Sequence, residues 1–345
     1  NEVPFWFWKL FNQRVKSVKP DAYICGELWG NASDYVKPGM YDAVMNYAFF
    51  RDPVTRFLGM GQGSAEEFDA TLASGRLTYP SQAVAVQMNL IDSHDTVRFL
   101  TQVGGDAKRL MLAALFQMTY VGAPSIYYGD EVAMEGQRDP DCRRPMVWDW
   151  EKDATRSAMH AWYTSLTGLR NAHPALRTGD FTTVRASGMT YAYTRKAGGE
   201  EFLVVLNAGR QPATVSFDLA PWGGTLKATD ALQGGTQTWS GTATLDQIAG
   251  WRHQVTLWAH PANKLFGTMW SRCPDPDLAD MIFENLSEEE HGTTSGKGGH
   301  IALNMRLLDA LGWDEAKRAQ DLPHMETWAL RHWLEIVQTT LSPVE

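Results

Sequence analysis

Residues 23–30 of the chain read YICGELWG, a short apolar run that ends on a single acid, Glu27, followed closely by Trp29. A run of this length is typical of a buried strand. Helical spacing is clearest at 106–120, where Asp106 is the predicted N-cap. Strands that alternate with helices predict a parallel sheet of βα units. The same kind of strand is predicted three more times, in the segments 41–49, 85–95 and 123–131.

Polar side chains follow the predicted strands, with Glu27 after the first and His94 and Asp95 after the third. In α/β barrels this end carries the chemistry, because the βα loops gather there above a packed interior. Glycoside hydrolysis needs two carboxylates at the scissile bond, one of which donates a proton. Packing against Trp29 is expected to desolvate Glu27 partly, which favours the protonated form that a general acid needs. Alternatively, Glu27 is a salt-bridged strand end, and the residues alone leave this choice open.

The composition argues against several classes of protein. A hydrophobic content of 44 % and a charged content of 21 % in 345 residues are typical of a globular protein with an ample core. The net charge of −9 argues against a nucleic-acid or anionic-membrane partner. The three cysteines give neither a disulfide framework nor a CxxC metal motif. The 14 Trp and 11 Tyr, several of them beside acids, are either sugar-stacking surfaces or core residues.

The pattern changes near Gly179, where period-two alternation punctuated by glycine turns predicts antiparallel strands. Helical periodicity returns after about residue 251. We therefore predict an α/β chain with an all-β domain and an all-α tail. Its predicted parts are βα units at 1–178, an antiparallel β-domain at 179–245, a junction at 246–262 and a helical segment at 263–345.

Four sequence blocks occur in a telling order: GELWG (26–30), YDAVMNYAFF (41–50), NLIDSHDTVRFL (89–100) and GAPSIYYGDEVAMEGQRDPDCRRPMVWD (122–149). Together they resemble the second half of an α-amylase-superfamily enzyme of the cyclomaltodextrinase, neopullulanase and maltogenic amylase type, over about residues 1–240. The resemblance implies the C-terminal half of a (β/α)8 barrel, strands 5 to 8, followed by an all-β domain. It also implies retaining hydrolysis of α-1,4, sometimes α-1,6, glucosidic bonds in maltodextrins or cyclodextrins.

The resemblance assigns roles to individual residues. Matched by position, Glu27 corresponds to the general acid/base, and Asp95 corresponds to the aspartate that stabilises the transition state. The pair Asp139 and Arg143 also fits a surface ion pair one helical turn apart, and this alternative stays open. The substrate-binding residues that the resemblance implies are His94, Trp29, Asp139 and Arg143.

One departure from the family concerns the nucleophile, which lies upstream in a stretch resembling RLDVANE whose tail matches Asn1-Glu2. A retaining enzyme without its nucleophile forms no glycosyl intermediate, so we expect this chain alone to be inactive. A non-catalytic carbohydrate-binding remnant is the alternative. The expected partners are an α-glucan oligosaccharide and, because half a barrel exposes sheet edges, a homodimer mate or a separate N-terminal half. A cytoplasmic location follows from the subfamily resemblance and the absence of a disulfide framework.

The segment FGTMWSRCPDPDLADMIFENLSEEEHG (266–292) resembles the haem-oxygenase-like family of helical di-iron oxidases and its thiaminase-related members, over about 255–345. Glu284 and His291 are two helical turns apart and share a face, so they are candidate iron ligands. The alternative is a solvated helix end with a histidine favoured by the helix dipole. The chain stops before that family's later ligands. A gene fusion, a pseudogene product and a joining error therefore all stay open. Iron and a metal-dependent oxidase activity are expectations for the tail alone, and the hydrolase part is expected to need no cofactor.

Overall fold

The computed structural model describes residues 3–232, 234–248 and 256–261. Two π-helical segments, Tyr47–Arg51 and Thr55–Gly59, flank the second helix. Among the described residues, no helix is long and apolar enough to cross a bilayer. The α-helices are α1 Phe5–Val18, α2 Asp52–Val54, α3 Ala65–Thr78, α4 Ser81–Val84, α5 Phe99–Gln102, α6 Ala107–Thr119, α7 Ala154–Ala172 and α8 Pro174–Thr178. The strands are β1 Cys25–Gly26, β2 Ala43–Val44, β3 Met88–Leu90, β4 Ala123–Ser125, β5 Asp180–Ser187, β6 Thr190–Ala197, β7 Glu200–Asn207, β8 Ala213–Asp218, β9 Thr225–Asp230, β10 Thr236–Ser240, β11 Thr242–Ile248 and β12 Thr256–Pro261.

Four short parallel strands hold the polar residues identified in the sequence. Strand β1 pairs with β2 and β3 pairs with β4, both in parallel, and a bridge between Met45 and Met88 joins the two pairs. Helices α2 to α4 separate β2 from β3, and α5 and α6 separate β3 from β4. Parallel strands need crossovers of this kind. The four strands are therefore confirmed, and all are shorter than the sequence predicts.

The strand predicted at 41–49 is wrong over its second half. The backbone leaves the extended conformation after Val44, and residues 47–51 form a π-helical turn in which the Asn46 carbonyl accepts from the Arg51 amide. Tyr47 and Phe50 are both buried, and residues three apart share a face only in a helix. An apolar run without strict alternation does not distinguish a buried strand from a buried helix, which explains the error.

The predicted helix at 106–120 is confirmed as α6, and Asp106 caps it by accepting a hydrogen bond from the Lys108 amide. The helix is buried on nearly every side, as expected of a core helix. Its Phe116 ring stacks on Phe50 at 5.5 Å between centroids and meets the edge of Tyr193 at 5.8 Å. Helix α6 thus joins the core of the βα units to the antiparallel strands.

The antiparallel region begins with β5 and contains a six-stranded sheet in the order β10-β9-β12-β7-β6-β5 and a two-stranded sheet of β8 and β11. Strand β7 is buried on both faces. Its alternate residues Phe202, Val204 and Leu206 join the core formed with the helices. Leu203 and Val205 join a second core shared with β8, β9 and β11. The period of two along one strand therefore builds two cores at once.

Two buried arginines hold the C-terminal end of α6. Arg195 in β6 donates to the carbonyls of Thr119 at 2.6 Å and Gly179 at 2.9 Å. Arg170 in α7 donates to three carbonyls, those of Met118, Tyr120 and Gly122. The last carbonyls of a helix lack intrahelical partners and attract positive charge. Burial lowers the pKa of both arginines to about 10, still far above neutral pH.

A buried network of charges lies below the loop that follows β3. Arg98, which is fully buried, donates to Asp130 at 3.2 Å and to the Cys142 carbonyl at 3.1 Å. Asp92 accepts from the Phe99 amide at 2.7 Å, which fixes the start of α5. Burial raises the pKa of Asp92 to about 6 and raises that of Asp130 well above its ordinary value. Asp130 is therefore the protonated partner that donates to the Asp92 carboxylate.

We predict that Arg195→Met destabilises the protein by about 2–4 kcal/mol, because it leaves the Thr119 and Gly179 carbonyls buried without donors. Urea unfolding followed by circular dichroism measures the change. Arg210→Met, on the exposed Arg210, is the matched control and should cost less than about 0.5 kcal/mol. Equal losses for the two variants would contradict the role given to Arg195.

The buried pair Asp92 and Asp130 predicts a pH dependence of stability. Because the folded-state pKa of Asp130 is raised, the folded protein holds a proton that the unfolded chain releases. The stability that this proton contributes is fully present below about pH 4, and it is lost as the pH rises through the folded-state pKa of Asp130. Asp130→Asn replaces the protonated carboxyl with an amide and removes the loss. Between about pH 5 and 8 its unfolding free energy should fall less steeply than that of the wild type, by up to about 1.4 kcal/mol per pH unit.

Unfolding curves at several pH values provide the measurement, and Asp149→Asn, at an exposed ion pair with Lys152, is the control. Parallel curves for the wild type and Asp130→Asn would show that Asp130 does not hold this proton.

Candidate active site

The structure brings Glu27, His94 and Asp95 together at the ends of two strands. Glu27 directly follows β1, and His94 and Asp95 lie in the turn after β3. The His94 Nε2 atom is 3.3 Å from Asp95 Oδ2 and 4.0 Å from Glu27 Oε1. One nitrogen or oxygen atom from each residue lies within 4.8 Å of the others. All three side chains are more than a third exposed, so a ligand can reach them from solvent.

Arg143 fixes the orientation of Asp95. Its Nη2 donates to Asp95 Oδ1 at 2.8 Å, and its Nε lies 3.0 Å from the His94 carbonyl. The same Nε is 2.9 Å from Asp139 Oδ1. The ion pair between Asp139 and Arg143, which their spacing of four residues allows, is therefore present. Arg143 therefore links Asp95 and Asp139. The sequence analysis named all three residues but missed the contact between Arg143 and Asp95.

The turn that carries His94 and Asp95 is held from below by residues that the sequence analysis did not name. The Ser93 hydroxyl accepts from the Asp95 amide at 3.2 Å and from the Tyr47 hydroxyl at 3.0 Å. The thiol of the fully buried Cys142 donates to the His94 carbonyl at 3.0 Å. Ser93 could have been found only because polar residues were expected at strand ends. No sequence signal points to Tyr47 or Cys142.

Trp29 packs on Tyr47 in parallel, with ring centroids 4.0 Å apart and planes 15° apart. Tyr47 is buried, while Trp29 is 50 % exposed and presents an aromatic surface to solvent. The side chain of Glu27 is 44 % exposed. Trp29 thus stacks on Tyr47 while Glu27 is partly open to water, and desolvation of Glu27 by Trp29 stays a prediction.

The arrangement offers two carboxylates and one imidazole around a single open position. Carboxyl groups about 5–5.5 Å apart are typical of retaining glycosidases, and wider pairs are typical of inverting ones. Within the described ranges, this is also the one set of three metal-ligating side chains with such spacing. The iron ligands predicted in the tail, Glu284 and His291, lie outside the described residues.

The chain is similar to several known proteins. The chain is 41 % identical over 263 residues to neopullulanase 2 of Thermoactinomyces vulgaris. This alignment covers 76 % of this chain and 42 % of that protein. It is 44 % identical over 209 residues to a cyclomaltodextrinase of a Bacillus species, covering 60 % and 37 %. The solved debranching enzyme from Nostoc punctiforme superposes with a TM-score of 0.61 at 31 % identity, covering 74 % and 55 %.

The chain thus spans about two fifths of the length of these curated relatives. The family described as alpha amylase, catalytic domain, matches residues 4–179, just over half of the 345 residues. On this match, and on the strand ends that carry Glu27, His94 and Asp95, the chain belongs to the α-amylase family.

Proposed function

We propose that the chain is the site-bearing part of a glycoside hydrolase that cuts α-1,4, and sometimes α-1,6, glucosidic bonds of maltodextrins or cyclodextrins with retention. The observation that carries the proposal is the convergence of Glu27, His94 and Asp95 within 4.8 Å at the ends of parallel strands. Membership of the α-amylase family supports an α-glucan substrate.

Glu27 is the proposed general acid/base. It lies at the tip of β1 with its carboxyl exposed, where it can deliver a proton to a glycosidic oxygen and later accept one from water. Its position 4.0 Å from the His94 imidazole supports this role, since a bound sugar hydroxyl fits between the two groups.

Asp95 is the proposed stabiliser of the positively charged transition state. Arg143 occupies its Oδ1, which leaves Oδ2 directed toward His94. A carboxylate held in a fixed orientation stabilises developing positive charge without reorganising during the reaction. His94 is the proposed donor to a substrate hydroxyl, with Asp139 and Arg143 lining a more distant sugar position and Trp29 offering a stacking surface.

The proposed architecture is the C-terminal half of a (β/α)8 barrel, with β1 to β4 as its strands 5 to 8 and the antiparallel strands as its all-β domain. We also propose that the 345-residue chain alone does not turn over substrate. The two carboxylates of the cluster serve as acid and stabiliser, and the described residues place no further carboxylate of a nucleophile within the cluster. A homodimer mate or a separate N-terminal half remains the proposed partner for the exposed sheet edges, and a cytoplasmic location remains a prediction.

A non-catalytic carbohydrate-binding role is the second candidate. The observation that favours it is Trp29, half exposed and backed by the buried Tyr47 ring. A rigid aromatic platform of this kind packs on the flat face of a sugar ring whether or not hydrolysis follows.

We predict that the purified chain releases no glucose or maltose from β-cyclodextrin or maltotriose, measured by chromatography over a long incubation. The physical reason is that a retaining reaction without its nucleophile loses several orders of magnitude in rate. Glu27→Gln is the control for a contaminating amylase. Product release by the wild type that Glu27→Gln abolishes would show that the chain is active and would contradict the prediction.

We predict that maltotriose binds without turnover and changes the tryptophan fluorescence of the chain. Trp29→Ala should remove most of the change and weaken binding by about 1–2 kcal/mol, because it removes the stacking surface. Trp148→Ala, at a tryptophan that is 80 % exposed, is the matched control and should retain the binding. Identical titrations for the two variants would show that Trp29 does not bind the sugar.

A further inference from the structure

We propose that Glu27, His94 and Asp95 also bind a single Zn²⁺ ion, through one atom from each side chain and with water as the fourth ligand. One ligand atom from each side chain lies within 4.8 Å of the other two, His94 Nε2 is close to both Glu27 Oε1 and Asp95 Oδ2, and all three side chains are partly exposed to solvent. Three protein ligands and one exchangeable position are the usual composition of an open zinc site.

The spacing of the ligand atoms fits a tetrahedral ion. Bonds of about 2.0–2.2 Å place neighbouring ligands of a tetrahedron about 3.3–3.6 Å apart. The separation of His94 Nε2 from Asp95 Oδ2 is 3.3 Å, which already matches one edge. The separation of His94 Nε2 from Glu27 Oε1 is 4.0 Å, so the carboxyl of Glu27 needs to move by about half an ångström. Glu27 is 44 % exposed and makes this adjustment by a side-chain rotation.

The charges around the position favour a divalent cation. Arg143 shares its positive charge between Asp95 Oδ1 and Asp139 Oδ1, so these three residues and Glu27 together carry two net negative charges. The Arg143 contact leaves Asp95 Oδ2 available and fixes its direction. Because one guanidinium orients a ligand without neutralising the whole cluster, the position is both negative and partly preorganised.

The ligand types select zinc rather than calcium or magnesium. An imidazole nitrogen is a good ligand for zinc and other late transition metals, whereas calcium takes six to eight oxygen atoms and magnesium keeps most of its water. Among the described residues, no other three His, Cys, Asp or Glu side chains come together in this way. Bound zinc would hold both carboxylates of the proposed hydrolase and would exclude the sugar, so zinc would inhibit that enzyme. This inhibition rests on the proposed function, whereas the zinc binding itself does not.

The experiment titrates the metal-free chain with Zn²⁺ by isothermal calorimetry, and with Co²⁺ as a spectroscopic probe. The wild type should bind Zn²⁺ at one site that weakens by about tenfold or more in His94→Ala and in Glu27→Gln. Co²⁺ at that site should give the visible absorption of a four-coordinate ion, and both variants should lose it. His160→Ala, whose ring stacks on Trp150, is the matched control and should behave as the wild type does.

Two further measurements separate this site from others. A Glu284→Gln, His291→Ala double variant should leave the His94-dependent binding unchanged, which distinguishes it from any metal held by the tail. Excess maltotriose should weaken the Zn²⁺ site. If it does not, while His94 and Glu27 still govern Zn²⁺ binding, the metal site stands and the sugar site proposed at the same residues is wrong. Identical Zn²⁺ and Co²⁺ titrations for the wild type, His94→Ala and Glu27→Gln, all folded by circular dichroism, would overturn the proposal.

Discussion

The contact between Arg143 and Asp95 is the constraint on which the rest of the site depends. Two carboxylates whose oxygens lie within 4.8 Å repel each other by about 1 kcal/mol in water and by about 3 kcal/mol at the effective dielectric of a protein surface. The guanidinium at 2.8 Å from Asp95 offsets this repulsion and holds one oxygen in place. Without such a partner, the repulsion would tend to turn one of the two acids away from the other. The arginine therefore permits two ionisable acids to face the same space.

Arg143 is itself placed by the buried network beneath it. Arg98 donates to the carbonyl of Cys142, and the Cys142 thiol donates to the carbonyl of His94. The segment that carries Arg143 is thereby tied both to the start of α5 and to the turn after β3. A guanidinium in the interior is costly, and the charge of Arg98 is balanced by the negative charge that the buried pair Asp92 and Asp130 shares and by the face of the Tyr127 ring 4.5 Å away. Such a network rigidifies the rim, since removing one member leaves the others buried without partners.

The sequence predicts the parts of the molecule that depend on local pattern. Alternation of apolar strands with helices locates β1 to β4, and the acid at a strand tip identifies Glu27 and Asp95, because parallel strands end on the same side of a sheet. The cap at Asp106 follows from local chemistry as well. The π-helical turn after β2 does not, because Tyr47 and Phe50 are apolar in either conformation. The pairing of Trp29 with Tyr47 and of Cys142 with His94 joins residues 18 and 48 positions apart, and no spacing rule reaches that far.

The exposure of Glu27 shapes the chemistry of the site. A carboxyl buried against an indole would be protonated by its surroundings, as the buried Asp130 is. Glu27 instead meets solvent, and Trp29 directs its ring to Tyr47. The environment that a general acid needs must then come from a bound sugar, which displaces water from both the indole face and the carboxyl. A zinc ion needs the opposite condition, two ionised carboxylates and a neutral imidazole. A sugar and a zinc ion therefore compete for the same three side chains.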